Sequence, residues 1–169
     1  MAETNPPLEA LFDSVAYYMT RHKRPYPLFN IETKSQPATD RVFHPEPETF
    51  LRLIMDVIIR KKMERYVTIQ SFDIRTLQIL RRKYPEQPCA LLIEEHDKRT
   101  VALQIGQLGF KPEIYSPHFS LVSRELTEDL HAQGIRVIPW TVNDRPTIDR
   151  MLGYGVDGII TDYPDLFRQ

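Results

Sequence analysis

Short apolar runs alternate with longer stretches in which apolar residues recur every three or four positions, and the alternation holds from residue 7 to residue 162. Leu8, Leu11, Phe12, Val15 and Met19 share one helical face, with Pro7 suited to the first turn. The run LFNIETKS (28–35) predicts a strand. A second helix follows over 45–63, with Phe50, Leu53, Ile54, Val57 and Ile58 as its apolar stripe. YVTIQSF (66–72) is the next strand, and Asp73 caps the helix after it. CALLIE (89–94) is a strand, TVALQIGQLG (100–109) a weaker helix, and EIYSPHF (113–119) a strand. Pro117 belongs at that strand's end, because proline has no N–H to give a central ladder. A helix over 122–134 is stopped by Gly134. IRVIPWTV (135–142) is the fifth strand, RPTIDRMLGYG (145–155) a helix with Pro146 near its start, and DGIITD (157–162) the sixth strand.

Strands separated by helix-length segments pair in parallel through crossovers, which makes an α/β fold. Two parallel architectures compete, the open doubly wound sheet and the (β/α)8 barrel of the TIM type. A glycine-rich phosphate fingerprint is missing after the first strand, which weakens the dinucleotide-binding version. Six strands are two short of a closed eight-stranded barrel. Polar residues collect at the C-terminal strand ends, where both architectures place their sites: Glu32 and Lys34, Gln70 and Ser71, Glu94, Ser116 and His118, Trp140 and Thr141, Thr161 and Asp162. No linker or low-complexity tract divides the chain, so residues 1–169 read as one domain.

Composition narrows the function classes. A net charge of -1 provides no basic face for nucleic acid or an anionic membrane. The single cysteine, Cys89, excludes an intrachain disulfide framework and a cysteine-rich zinc site, and it reads as a small apolar strand residue. The opening MAETNPPLEALF lacks the basic and apolar regions of a signal peptide, and no run is long enough for a bilayer-spanning helix. The expectation for the chain as written is a cytoplasmic protein without membrane insertion; a periplasmic parent protein is compatible with the same sequence.

Asn30, Glu32 and Lys34 alternate with apolar neighbours, so they share one face of their strand. Placing a carboxylate and an ammonium there is costly unless something pairs with them. NIETKS (30–35) resembles the Asn-Ile-Glu-x-Lys strand of the glycerophosphodiester phosphodiesterases. VTIQSFD (67–73), VIPWTVN (137–143) and MLGYGVDGIITDYP (151–164) resemble later strands of that family, in the same order. The resemblance implies a (β/α)8 barrel that hydrolyses glycerophosphodiesters to an alcohol and glycerol 3-phosphate with a divalent cation, Ca2+ or Mg2+. It assigns metal ligation to Glu32, a place beside the phosphate to Lys34, and the lining of the substrate pocket to Trp140. A hard cation takes carboxylate oxygens and a phosphodiester takes an ammonium, so the resemblance explains the charged pair.

The resemblance is incomplete. The family's His-Arg-Gly strand, its Glu-x-Asp strand and its second histidine have no counterpart in these 169 residues. Those elements carry both catalytic histidines and two of three acidic metal ligands, so the expectation is an N-terminally truncated, inactive portion holding six of eight strands. The unpaired edges of such a sheet invite a complementing chain carrying the other strands, or a second copy. A non-catalytic phosphate-binding α/β domain is a further reading. His118 is a weak substitute for the missing base. His22, His44, His96 and His131 have no ligand spacing, Asp162 reads as a turn cap before DYPDLF, and the basic clusters at 21–24, 60–65 and 81–83 sit at helix C-termini, where cations offset the dipole.

Overall fold

A computed structural model describes residues 7–167 of the chain. Helix α1 (Leu8–His22) begins right after Pro7, whose carbonyl accepts the first helical bond from Leu11. Strand β1 (Phe29–Glu32) follows, then a loop with a 3-10 turn, and helix α2 (Pro47–Arg60). The remaining units are β2 (Val67–Ser71), α3 (Ile74–Lys83), β3 (Cys89–Ile93), α4 (Val101–Leu108), β4 (Ile114–Pro117), α5 (Arg124–Ala132), β5 (Arg136–Val137) and α6 (Arg145–Gly153). Asp73, Thr100, Ser123 and Asp144 each accept a backbone N–H at a helix start, caps worth about 1 kcal/mol apiece.

The five strands lie in the order β1-β2-β3-β4-β5, and every neighbouring pair is parallel. A doubly wound sheet reverses its strand order at a switch point, and no reversal occurs among the described strands. Sequential order is the progression of a barrel wall. Cys89, Leu91 and Ile93 of β3 pack with Ile69, Val67 and Val137 against Phe12, Leu51, Met55, Ile58, Leu77, Leu80, Leu108 and Leu130 from the helices. Alternate residues of the same strands turn to the opposite face, where Asn30 donates to Gln70 Oε1 at 2.5 Å. That face corresponds to the inside of the barrel wall.

Two expectations are corrected. The apolar stripe of α2 centres on Leu51, Met55 and Ile58, with Ile54 and Val57 partly buried beside them, while Leu53 is exposed. Residues 50–59 carry two overlapping apolar rows, and the row facing the sheet and α3 wins. The sixth strand, 157–162, does not form a ladder. It runs beside β5 through bonds from Asp157 N–H to the Val137 carbonyl, from Ile160 N–H to the Pro139 carbonyl, and from Val142 N–H to the Ile160 carbonyl. Two residues on one side face three on the other, and Pro139 has no N–H to restore the register. The fifth strand is also shorter than 135–142, because Pro117 has no N–H for the Ile138 carbonyl. The Ser116 hydroxyl fills that position instead, at 2.6 Å. Among the described residues no helix is long and apolar enough to cross a membrane.

Candidate active site

The C-terminal ends of the strands form a rim, and a cavity of about 230 Å3 opens there between Glu32, Lys34, Gln70, Phe72, Leu92 and Trp140. Glu32 ends β1, in register with Gln70 of β2. Its carboxylate is three-quarters buried and lies 3.7 Å from the Lys34 ammonium, which is almost fully exposed. The two residues predicted to meet cation and phosphate therefore stand side by side at the mouth, with Trp140 across from them.

The loop after Glu32 is fixed by contacts that local sequence patterns do not announce. Thr33 N–H donates to the Gln70 carbonyl at 3.0 Å, and the Ser71 hydroxyl donates to the Thr33 carbonyl at 3.2 Å. Ser71 thus points away from the cavity, whereas Gln70 and Phe72 line it. Ser35 donates to Asp73 Oδ2 at 3.1 Å and lies 3.0 Å from the Thr76 hydroxyl. The Arg75 guanidinium bridges Asp73 and Asp40, at 2.7 and 2.8 Å. Hydrogen bonds from Arg75 hold the Asp40 carboxyl below its ordinary range. His44 Nε2 accepts from Gln36 N–H at 3.0 Å and contacts Thr39 Oγ1 at 2.8 Å, closing the same loop. Sequence reading treats Asp73 only as a cap and passes over Asp40 and Arg75. They are paired across 35 residues, so no helical or strand period could reveal them.

Trp140 stands edge to face between Phe72 and His118, each ring 5.3 Å away. Its indole N–H donates to the Ser116 carbonyl at 2.9 Å, which leaves the ring's carbon surface for the cavity. His118 does not line this cavity. Its Nδ1 accepts from the Ser120 backbone N–H at 3.3 Å and lies 2.8 Å from the Ser120 hydroxyl. An accepting Nδ1 places the ring proton on Nε2, so the nitrogen that a general base needs is already used. Asp162 is also corrected. Its carboxylate accepts from Asn143 Nδ2 at 2.8 Å, and the Thr161 hydroxyl accepts the Tyr163 N–H in the turn instead. His131 pairs with Asp157 at 2.8 Å, away from the rim. Two of the basic clusters form ion pairs at helix ends, such as Arg60 with Glu9 at 2.8 Å and Arg81 with Glu113 at 2.6 Å, while Arg21 of the first donates to the Tyr17 hydroxyl at 2.9 Å.

Glu32 offers hard oxygens of the kind that Ca2+ and Mg2+ prefer. Among the described residues, however, no group of three His, Cys, Asp or Glu side chains is placed to hold an ion. One carboxylate beside an ammonium does not make a cation shell, so these residues do not by themselves fit the metal.

A sequential parallel sheet with a carboxylate, an ammonium and an indole on one rim cavity defines a TIM-barrel-type α/β protein. The sequence profile of the Glycerophosphoryl diester phosphodiesterase family matches residues 22–166, and the chain belongs to that family. It is 31% identical over 141 residues to a glycerophosphodiester phosphodiesterase of Caldanaerobacter subterraneus subsp. tengcongensis, a match covering 82% of this chain and 53% of the relative. A glycerophosphodiester phosphodiesterase of Bacillus subtilis is 27% identical over 104 residues, 61% of this chain and 36% of the relative. A crystal structure from Silicibacter pomeroyi, assigned to glycerophosphoryl diester phosphodiesterases, superposes with a TM-score of 0.79 at 31% identity, covering 95% of this chain and 54% of that one. An Oleispira antarctica phosphodiesterase in complex with sn-glycerol-3-phosphate shares the fold, with a TM-score of 0.70 at 17% identity over 91% of this chain and 57% of that one. The chain spans about half the length of such relatives. Metal dependence is general in this family, whereas no particular cation is marked out by this chain.

Proposed function

We propose that the rim cavity is the glycerophosphate side of a glycerophosphodiester phosphodiesterase site. Lys34 holds a phosphoryl oxygen, Trp140 covers the carbon skeleton of the glycerol, and Glu32 lends its carboxylate to a divalent cation whose other ligands the described residues do not bring to it. The reaction is hydrolysis of the ester bond between phosphorus and the alcohol, releasing glycerol 3-phosphate. The single observation behind this reading is that Glu32 and Lys34 from the first strand unit meet Trp140 from the last on one cavity. The Oleispira antarctica complex with glycerol 3-phosphate supports the choice of product. This chain's residues bind and orient the ester, and His118, committed to Ser120, is not free to move the proton.

Titration calorimetry with glycerol 3-phosphate tests the binding half. Lys34→Ala is expected to weaken binding about tenfold or more, the effect of removing a charge-assisted contact. Glycerophosphocholine with added Ca2+ or Mg2+ should give no turnover above background with this chain alone. Turnover that disappears in Glu32→Ala would overturn that division of labour.

A second reading rests on the outer edge of β1, which has no strand partner among the described residues. We propose that this edge pairs with further strands of the barrel, in the same polypeptide, in a complementing chain, or in a second copy. Mass measurement in solution discriminates: a concentration-independent monomer that recruits no complementing strand-bearing fragment counts against pairing between chains.

A further inference from the structure

The opposite end of the sheet holds a larger cavity. It measures about 520 Å3 and lies where the chain enters β2 and β3, between the C-terminal half of α2 and the turn after α3. It shares no lining residue with the rim cavity. Barrel proteins do their chemistry at the C-terminal strand ends, and the N-terminal face ordinarily serves stability. A ligand-sized cavity on that face calls for an explanation.

Its apolar walls come from Met55, Ile59, Tyr84, Pro85 and Pro88. Among them stands one buried amide. Gln87 is 4% exposed, and its Nε2 donates to the Val67 carbonyl at 2.5 Å and to the Glu64 carbonyl at 3.3 Å. Two carbonyl acceptors fix which end of the amide is nitrogen. Oε1 is the end without a hydrogen-bond partner among the described residues. With Nε2 spent on the backbone, Oε1 is the polar end that Gln87 has left for the cavity it lines. Burying an acceptor unpaired is costly, so the orphaned oxygen points to a donor that arrives from outside the chain.

The charges on the lining say what kind of donor. Glu64 and Glu86 both line the cavity, and both are exposed residues. Arg65 is the one cationic residue among the described lining, and Tyr66 takes up its guanidinium. Its Nη2 donates to the phenol oxygen at 2.7 Å, and the guanidinium carbon stands 4.6 Å from the ring centre. The cavity is thus a set of acceptors on an apolar bed. An anionic ligand is repelled there, and a plain hydrocarbon leaves the amide oxygen unpaired. An ammonium group with an apolar body answers both the charge and the acceptor.

We propose that the cavity at the N-terminal ends of β2 and β3 is a binding site for a primary amine carrying an apolar body. The ammonium donates to Gln87 Oε1, Glu64 and Glu86 supply the counter-charge, and the body covers Met55, Ile59 and the two prolines. The site stands apart from the rim and does not depend on the phosphodiesterase reading.

Backbone amide NMR of the whole chain tests it with three separate probes: phenethylamine, its trimethylammonium analogue, and phenethyl alcohol. The analogue keeps ring and charge but has no N–H, and the alcohol keeps ring and donor but has no charge. Phenethylamine is expected to shift the amide signals of Glu64, Val67, Gln87 and Cys89, and to bind about tenfold more tightly than either of the others. Glu64→Gln combined with Glu86→Gln should weaken it about fivefold; both residues are exposed, so the variant keeps the fold. Ile59→Lys, at a residue 45% exposed, brings a competing ammonium to the lining and should abolish binding. Equal affinity for the amine and its trimethyl analogue, an unchanged affinity in the paired glutamine variant, or strongest shifts at the rim around Trp140 would each overturn the site. So would the absence of any shift at millimolar amine, which would leave water as the partner of Gln87 Oε1.

Discussion

Trp140 is held from three sides: Phe72 and His118 meet its ring edge to face, and the Ser116 carbonyl takes its N–H. The residue cannot rotate without losing a partly buried hydrogen bond, so its ring is a fixed wall for whatever enters the cavity. His118 contributes to this by standing behind the indole, with its own orientation set by Ser120. Its role is to position Trp140. His118→Ala is expected to change the fluorescence of this sole tryptophan and to lower stability by about 1 kcal/mol, the worth of one aromatic pair. Emission spectra and urea melts check both, and an unchanged emission would show that the histidine does not position the ring. Lys34 and Glu32 are legible in the sequence because a charge alternating with apolar strand residues stands out. Which nitrogen of His118 is occupied depends on a turn two residues further on, and no spacing argument sees that.

At the scale of elements, the loop between β1 and α2 depends on α3 as much as on its own residues. Asp73 caps α3, receives Ser35, and is bridged through Arg75 to Asp40, so one carboxylate ties helix start, rim loop and Lys34 together. Its side chain is only 4% exposed, and removing it leaves Arg75 and Ser35 without their buried partner. Asp73→Ala is therefore expected to cost about 3 kcal/mol, above the value of a cap alone. Proteolysis of residues 33–46 should accelerate in that variant even under conditions where the rest of the chain stays folded. Protection unchanged from the parent would show that the loop holds itself. Helix starts are readable in the sequence because a cap and its helix are neighbours in the chain. Strand ends are less so: the shortening of β5 follows from Pro117 on one strand facing Ile138 on another, a fact of pairing rather than of local preference. The stripe of α2 is shifted for a similar reason: Ile54, Val57 and Ile58 pack as expected, but Leu51 and Met55 rather than Leu53 complete the buried row, and only the packed neighbours choose between the two.

For the molecule as a whole, the order of strands and helices follows from the sequence, because parallel strands buried on both faces read as continuous apolar runs. The response to acid follows from the ion pairs. Five carboxyls have lowered folded values: Asp40 through hydrogen bonds from Arg75, Asp97 through hydrogen bonds from Arg99, Glu9 and Glu48 through hydrogen bonds from Arg60 and Lys83, and Glu113 despite a burial that raises it, because Arg81 and the Cys89 N–H outweigh that. A lowered carboxyl contributes stability that is complete above its unfolded value, and the contribution is lost as the pH falls through the folded value. Urea midpoints should thus be flat from pH 7 to about 5 and drop below about pH 4, the ordinary carboxylate range. Glu113→Gln should lower the plateau and flatten the drop. A midpoint that rises on acidification would contradict the assignment.

Cys89 sits in the middle strand of the sheet, 1% exposed, with its thiol pushed up to about 12 by burial and then by the nearby Glu113 carboxylate. A bulky thiol reagent at neutral pH has no reactive sulfur to meet until β3 separates from its neighbours. Since the chain holds one cysteine, each labelling event records one opening of the innermost strand, free of any competing signal. The sulfur is in effect a built-in clock for how often the wall breathes, and its rate, compared with and without glycerol 3-phosphate, reads ligand protection directly from the core.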